Sequence, residues 1–363
     1  MLSLGSFLIA GASIALATQH AKASITDLSH TSAATAACDE LGLELSGKVA
    51  FDPMIKQNSA TLNELYNTTR TTFWNAANSV DRPTCMVFPA SAQDVSTSIK
   101  TLHKYETVPS NLKSGGHNWN YGFSSTNGGV LISFRPNMQN TTVAADHNTA
   151  EVGPGAKWKE VMAELNKYNR CAVGGRNDDV GVGGYVILGG LSYLTGAKGF
   201  SSDNVVNFET VLADGSIVNA NATSNPDLYF ALRGGGANYA VVTKYTLIAH
   251  PIGSVWGGPR LYTSDKAPQL ISAISNYVLN LSPSVADSAL LPTIAWPSLL
   301  NGSDIWTIFM YWNGTTPPAD LFKEFFEIEA IADQTKVQTY PKLLNMDALA
   351  GGFLGRTTDR VAP

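Results

Sequence analysis

Three glycine-rich segments, spread at similar intervals along the middle of the chain, constrain its fold more than any other feature. They occupy residues 112–119, 174–184 and 233–243. Adjacent glycines let the backbone turn tightly and bring bare N–H groups close to an anion such as phosphate. One such segment alone predicts only a turn. Three of them in one chain indicate that a single large anionic ligand is held along its length.

The first segment combines a glycine turn with side chains that suit a cofactor site. In chain order it includes Lys113, Ser114, Gly115, Gly116, His117 and Asn118. We expect the backbone N–H groups of the turn to face a phosphate. The Lys113 ammonium would add charge there, without the bidentate geometry of arginine. The alternative for every glycine in the three segments is a structural turn that touches no ligand.

Length and composition are typical of a globular protein with room for more than one domain. The chain has 363 residues, of which 44% are hydrophobic and 15% are charged. A formal net charge of −5 argues against nucleic acid or an anionic membrane surface as the main partner. The six histidines and three cysteines lack the spacing of metal ligands, so no metal site is predicted.

The amino-terminal stretch indicates secretion. Residues 1–23 are mostly small and apolar and end in Ala21-Lys22-Ala23, which is typical of a signal-peptide cleavage site. A short membrane anchor is the competing interpretation, but the run is interrupted and short for a span. N-x-[ST] sequons fit a secreted glycoprotein. They lie at Asn67, Asn140, Asn221, Asn280, Asn301 and Asn313.

Periodicity predicts helices and strands around the glycine segments. Ser91 and Asp94 have the spacing of a helix N-cap and its third residue. A short strand over 107–111 would deliver the first glycine segment, and 158–168 is an amphipathic helix. After Pro251 the pattern changes to alternation over 305–311 and to helical patches over 270–281 and 321–331.

The order of these blocks resembles a known family. Besides the first two glycine segments it includes residues 203–205, 211–215 and 226–236. The chain resembles FAD-linked oxidoreductases that share their flavin domain with vanillyl-alcohol oxidase and p-cresol methylhydroxylase, and among them the fungal berberine-bridge-enzyme-like branch. The resemblance implies an α+β fold, with a PCMH-type FAD-binding domain of two α/β subdomains and then an antiparallel-sheet substrate domain.

The resemblance also implies domain boundaries. It divides the chain into a signal peptide (1–23), an amino-terminal leader (24–80), the FAD-binding domain (81–252) and a partial substrate domain (253–363). Relatives in this family continue well beyond the position of Pro363. We therefore expect a C-terminally truncated substrate domain, with the substrate-side catalytic base outside this chain.

The family's motifs assign FAD-binding roles to individual residues. The cofactor is expected to contact Lys113, Ser114, Gly115, Gly116, His117, Asn118, Gly175, Val180, Gly181, Gly183, Gly184, Asp203, Asn204 and Val242. His117 would hold FAD covalently through the 8α-methyl group, although a histidine that only stacks near the ring is the alternative. Asn177 replaces the cysteine that forms a second link in many relatives, so a single link is expected. Val180 matches relatives that react with oxygen.

The cysteines receive roles from the same resemblance. Cys38 and Cys85 match a pair that forms a disulfide between the leader and the first strand of the flavin domain. Two buried free thiols are the alternative. Cys171 lies in an apolar strand-like run and is expected to serve packing rather than chemistry.

The resemblance implies a secreted, monomeric FAD-dependent oxidase. Hydride would pass from a C–H bond of an alcohol, sugar or secondary-metabolite intermediate to flavin N5, and O2 would reoxidise the flavin to give H2O2. A flavin-binding paralogue without turnover is the alternative, because Leu188 and Ala240 replace glycines of the family pattern. A nicotinamide-dependent Rossmann enzyme is disfavoured because the sequence lacks G-x-G-x-x-G after a strand.

Overall fold

A computed structural model describes residues 31–295 and 304–352, without the side chains of 295 and 347–352. The predicted signal peptide, the sequon at Asn301 and the last residues of the chain lie outside this part. No helix in the described ranges is both long and apolar enough to cross a membrane.

The first sheet carries the strand that leads into the first glycine segment. Its strand order is β1-β2-β4-β3, with β2, β4 and β3 parallel and β1 antiparallel. The strands are β1 (Val49–Phe51), β2 (Cys85–Val87), β3 (Ser110–Lys113) and β4 (Val130–Ser133). Three helices accompany it: α1 (Ser32–Glu44), α2 (Ala60–Thr71) and α3 (Ala92–His103). Because parallel strands end at one edge, the loops after β2, β4 and β3 lie side by side.

The second sheet is antiparallel and has the order β5-β6-β10-β8-β9. Its strands are β5 (Thr141–Val143), β6 (Thr149–Val152), β8 (Val205–Val211), β9 (Ile217–Ala220) and β10 (Val241–Ile248). A separate pair joins β7 (Arg170–Cys171) to β11 (His250–Pro251). The helices of this region are α4 (Trp158–Asn166), α5 (Val182–Ile187), α6 (Thr195–Lys198) and α7 (Pro226–Leu232).

The third sheet follows and is also antiparallel. It has the order β13-β14-β12-β15, and β16 pairs with β12 as well. Its strands are β12 (Ser254–Thr263), β13 (Ser288–Ala295), β14 (Ile305–Trp312), β15 (Ala332–Asp333) and β16 (Lys336–Thr339). Helices α8 (Ala267–Asn276), α9 (Lys323–Glu327) and α10 (Tyr340–Gly352) complete it.

The hydrophobic core continues from the second sheet into the third. One cluster of buried residues includes Trp158 and Phe208 from the second region together with Phe309 and Tyr311 of β14. Tyr193 bridges the two, since its ring stacks on Phe309 at 5.1 Å and on Tyr311 at 5.3 Å between centroids. The boundary at residue 252 therefore divides two sheets that share a core, and it stays a prediction as a domain limit.

The predicted fold class is confirmed, and most elements lie where periodicity placed them. Ser91 caps α3, accepting a hydrogen bond from Asp94 N at 3.2 Å. The helical patch over 321–331 was too long: only Lys323–Glu327 is helical, because Ala332–Asp333 must extend to pair with β12. The patch over 270–281 is α-helical only to Asn276 and then forms a π turn.

The disulfide between Cys38 and Cys85 is present, and their Cα atoms lie 5.9 Å apart. It joins α1 to β2, and both residues are fully buried. The alternative of two free thiols is therefore wrong. Cys171 is buried and free, and burial raises the pKa of its thiol to about 12. A thiol that stays protonated is a poor nucleophile, which agrees with a packing role.

Candidate active site

The first two glycine segments meet at the end of β3. Ser114 Oγ donates a hydrogen bond to Pro154 O at 2.6 Å and accepts one from Gly183 N at 3.2 Å. Ser114 thus ties the loop after β3 to the turn after β6 and to the start of α5. The structure brings together three segments that are far apart in the sequence.

Gly115 and Gly181 pack backbone against backbone. A Cβ on Gly115 would lie 2.6 Å from Gly181 N, and a Cβ on Gly181 would lie 2.4 Å from Gly115 N. Position 175 requires glycine for a similar reason, because a Cβ there would lie 2.6 Å from Cδ1 of Trp158. We predicted these glycines as cofactor contacts. Packing inside the protein already requires glycine at all three positions.

Lys113 has partners that differ from the direct phosphate contact that we expected. Its side chain is buried, and Nζ donates to the carbonyl oxygens of Thr69 and of Thr72, the latter at 2.7 Å. The ammonium also lies 3.6 Å from the centroid of the Phe73 ring. Burial, and to a lesser degree the Lys157 ammonium, hold the pKa of Lys113 well below its ordinary value. The N–H groups of the Lys113 ammonium therefore bind carbonyl oxygens at the carboxyl end of α2.

His117 is half-buried and stacks on an aromatic ring. The centroids of its ring and of Trp74 are 4.2 Å apart, with 24° between the planes. Trp74 N donates to Gly116 O at 2.9 Å, which joins the two segments through the backbone as well. The Asn118 side chain accepts from Asn120 N at 2.9 Å and so stabilises the loop that follows.

The second glycine segment is held by charge and by backbone hydrogen bonds. Asp179 Oδ1 lies 2.7 Å from Lys157 Nζ and 3.2 Å from Lys159 Nζ. Burial works against ionisation of Asp179, but the two ammonium groups outweigh it and lower its pKa. Val180 O accepts from Trp158 N at 3.1 Å, and the Val180 side chain is half-buried against the core.

Asp203 and Asn204, predicted as cofactor contacts, use their side chains within the fold. Asp203 accepts from Phe200 N at 2.9 Å and from Arg233 Nη2 at 2.5 Å. Asn204 Nδ2 donates to Phe200 O at 2.8 Å, and its Oδ1 lies 2.7 Å from His250 Nε2. Burial, followed by nearby cations, lowers the pKa of His250. The Asp203 side chain nevertheless remains 42% exposed, and Asp203 lines the cleft described below.

Val242 likewise has a buried side chain, 5% exposed, and its residue pairs with Thr210 across β10 and β8. By contrast Gly184, at the start of α5, is exposed, and a Cβ there would meet no other atom within 4 Å. Gly184 is thus a predicted contact residue whose missing side chain leaves open space.

A cleft of about 580 Å³ opens at the far end of α5. Leu188, Leu191 and Phe200 line it with large apolar side chains, and Arg233 adds a cation. Gly189 and Gly234 also line it with positive φ angles of 97° and 137°, and a Cβ on either would meet no atom within 4 Å. An apolar cleft with glycine backbone on its walls suits a flat heteroaromatic ring.

The arrangement fits an extended dinucleotide such as FAD. The Ser114–Gly183 contact lies at the start of α5, and the cleft lies at its end, about 9 Å away for a helix of this length. Trp74 stacks on His117 in the loop that contains Ser114, and its Nε1 is buried without a hydrogen-bond partner among the described residues. A buried N–H group without a partner lowers the stability of the fold by about 1–3 kcal/mol unless a ligand or water accepts a hydrogen bond from it.

Sequence reasoning missed two contributors to this site. Trp74 lies in the amino-terminal leader and was not predicted as a site residue, although its ring stacks on that of His117. Leu191 was also missed, because its exposure of 57% beside the cleft appears only in the folded chain. Within the described ranges, no three His, Cys, Asp or Glu side chains are grouped so that they could hold a metal ion.

Comparisons with known proteins identify an FAD-binding domain in this chain. The family description "FAD binding domain" matches residues 83–221. A protein of Arthroderma benhamiae named an uncharacterized FAD-linked oxidoreductase is 39% identical over 77% of this chain and 55% of its own length. Other fungal relatives, 33% to 36% identical, are named FAD-dependent monooxygenases. The chain spans about half the length of these curated relatives.

Solved structures show the same fold. 6-Hydroxy-D-nicotine oxidase from Arthrobacter nicotinovorans gives a TM-score of 0.71 at 20% identity, covering 84% of this chain and 64% of its own. Glucooligosaccharide oxidase from Acremonium strictum gives a TM-score of 0.62 at 24% identity, covering 76% of this chain and 57% of its own, and that oxidase has a 6-S-cysteinyl, 8α-N1-histidyl FAD. The chain therefore contains an FAD-binding domain over residues 83–221 and is similar to fungal FAD-linked oxidoreductases, and the solved flavin oxidases share its fold.

Proposed function

We propose that this chain carries the flavin site of a secreted FAD-dependent oxidase. The proposal rests on the position of His117, which follows β3 and stacks on Trp74. The Ser114–Gly183 hydrogen bond joins the His117 loop to the start of α5, and the cleft opens at the other end of that helix. The site thereby offers an attachment point at one end and a ring pocket at the other.

The residues of the chain divide the work of holding the cofactor. Backbone N–H groups of the loop after β3 would meet the pyrophosphate, and the cleft beyond Leu188 would take the adenosine part. His117 and Val180 would border the flavin ring. The cofactor, when bound, supplies hydride acceptance from a substrate C–H bond, and the chain supplies orientation and exclusion of water.

A single covalent link through His117 belongs to the same proposal. An imidazole nitrogen of His117 would hold the 8α-carbon of the flavin, and dioxygen would take up the two protons and two electrons that formation of this bond releases. Asn177 has no thiol for a second link, and its Oδ1 accepts from Asp179 N at 3.0 Å. The histidyl FAD named for glucooligosaccharide oxidase supports this assignment by likeness of fold.

Oxidase chemistry, secretion and a small-molecule substrate extend the proposal. The disulfide between Cys38 and Cys85 favours an oxidising compartment. Of the sequon asparagines, Asn67, Asn140 and Asn280 are exposed. A protein that binds FAD without turnover is the second candidate, and it is favoured by Leu188, which projects into the cleft rim with 66% exposure.

Mass spectrometry and absorption spectroscopy test the proposal on one purified sample. We expect the intact denatured protein to carry the added mass of one FAD, and His117→Gln to abolish it because the imidazole that would form the bond is removed. After anaerobic photoreduction, the flavin should reoxidise rapidly when air is admitted. Absence of added mass in the wild type would reject the covalent link, and a flavin that stays reduced in air would reject the oxidase.

A further inference from the structure

Residues 72–75, which follow α2, pack on the loop that carries His117. Their backbone contributes the bond from Trp74 N to Gly116 O, and their side chains include the rings of Phe73 and Trp74. Gly116 has a positive φ of 73°, and a Cβ there would lie 2.9 Å from both Lys113 Cε and Thr72 O. Lys113, Gly116 and Thr72 therefore form one tightly packed unit.

The Lys113 side chain lies inside this unit. Its ammonium donates to two carbonyl groups, those of Thr69 and Thr72, at the end of α2. The last carbonyls of a helix lack partners within it, and the carboxyl end of the helix dipole attracts a cation. No carboxylate of the described residues forms an ion pair with Lys113. The helix end and the Phe73 ring are thus what hold the ammonium in place.

We infer that Lys113 is a positioning residue, which fixes the end of α2 so that Trp74 holds the His117 ring in one orientation. The contact sequence is continuous: Lys113 binds Thr72 O and the Phe73 ring, and the next residue, Trp74, stacks on His117. Its value for attachment of the flavin rests on the proposed function. Lys113 acts through Trp74 and need not touch the cofactor.

The orientation of the His117 ring can be measured without flavin. Protein labelled at its histidine side chains would show the His117 ring protons shifted upfield by the Trp74 indole, and His117→Gln would assign the signal. We expect Lys113→Met, which keeps the length of the side chain but removes its donors, to move this signal most of the way towards that of an exposed histidine.

Tyr66→Phe is the matched control. Tyr66 also lies in α2 and is fully buried, and its hydroxyl donates to Pro83 O at 2.7 Å, away from the His117 loop. Its removal should lower stability and leave the His117 signal unchanged. An unchanged signal in folded Lys113→Met would overturn the inference, as would an equal change in Tyr66→Phe.

Two further measurements test the positioning role of Lys113. If Lys113→Met does not fold, Phe73→Leu removes the ring against the ammonium and should shift the His117 signal in the same direction; no shift would overturn the inference. When FAD is added to flavin-free protein, folded Lys113→Met should form the covalent link about 10- to 100-fold more slowly than the wild type. Misplacing a reacting group produces an effect of this size. If the wild type attaches no FAD while the signal still responds, the covalent link fails and the positioning role stands.

Discussion

At the scale of single residues, glycines of the same motif do different work. Gly181 is required because the backbone of Gly115 and the Ser114 hydroxyl lie where its Cβ would be. Gly184, three residues later, faces open space. A glycine-rich pattern therefore contains both positions where two loops pack together and positions that face open space, and spacing along the chain does not distinguish them.

Alanine substitutions should distinguish the two kinds of glycine. In flavin-free protein we expect Gly181→Ala to lower the free energy of unfolding by about 1–3 kcal/mol, because the new Cβ overlaps Gly115 N and the loops must separate. Gly184→Ala should leave that free energy unchanged or slightly raised, since alanine favours helix, while weakening FAD retention. Urea unfolding of the two variants measures this, and equal losses would contradict it.

At the scale of elements, the disulfide between α1 and β2 is the strongest local restraint on the leader. The two cysteines are 47 positions apart, and they lie in a cluster of buried residues with Leu41 and Val95. The bond holds α1 against the first sheet, whose parallel strands end at the His117 loop. Its effect on the site is therefore indirect and acts through the stability of that sheet.

Removing the disulfide should lower stability without removing the flavin site. For a loop of this size we expect Cys38→Ser with Cys85→Ser to lower the free energy of unfolding by about 4 kcal/mol, because the unfolded chain gains conformational freedom. Denaturant unfolding measures the loss, with Cys171→Ala as the control. Thiol titration of the unfolded, unreduced wild type should find only Cys171 reactive, and three reactive thiols would reject the bond.

At the scale of the whole molecule, the second and third sheets are joined through aromatic packing. Tyr311 of β14 is fully buried and stacks on Tyr193, and its hydroxyl lacks a hydrogen-bond partner within the described ranges. Tyr262 of β12 is equally buried, but its hydroxyl donates to Phe325 O at 2.8 Å. The two tyrosines differ in hydrogen bonding rather than in burial.

This difference predicts opposite effects of two similar substitutions. Tyr311→Phe should leave the free energy of unfolding unchanged or raise it by about 1 kcal/mol, because an unsatisfied buried hydroxyl is removed. Tyr262→Phe should lower it by about 1–2 kcal/mol, because Phe325 O and Arg260 Nε lose their partner. Thermal or urea unfolding compares them. If Tyr311→Phe lowers the free energy of unfolding as much as Tyr262→Phe does, the difference in hydrogen bonding between the two hydroxyls is rejected.

Much of the fold could be predicted from the sequence because its signals are local. The Ser91 cap, strand β14 and helix α4 depend on residues close to one another in the sequence, and their predictions were confirmed to within two residues. The order of the glycine segments and the other motif blocks indicated the family resemblance, and that resemblance predicts His117 as the attachment residue. These features need no knowledge of which distant segments meet.

The partners of the site residues were decided by the tertiary structure alone. Lys113 lies 44 and 41 positions from Thr69 and Thr72, and nothing near it in the sequence indicates that its ammonium binds a helix end. The side chains of Asp203 and Asn204 were likewise taken up by Arg233 and His250. A buried polar group must find a partner wherever the folded chain brings one. The sequence by itself therefore determined which loops form the site, and folding determined which side chains remain to face a ligand.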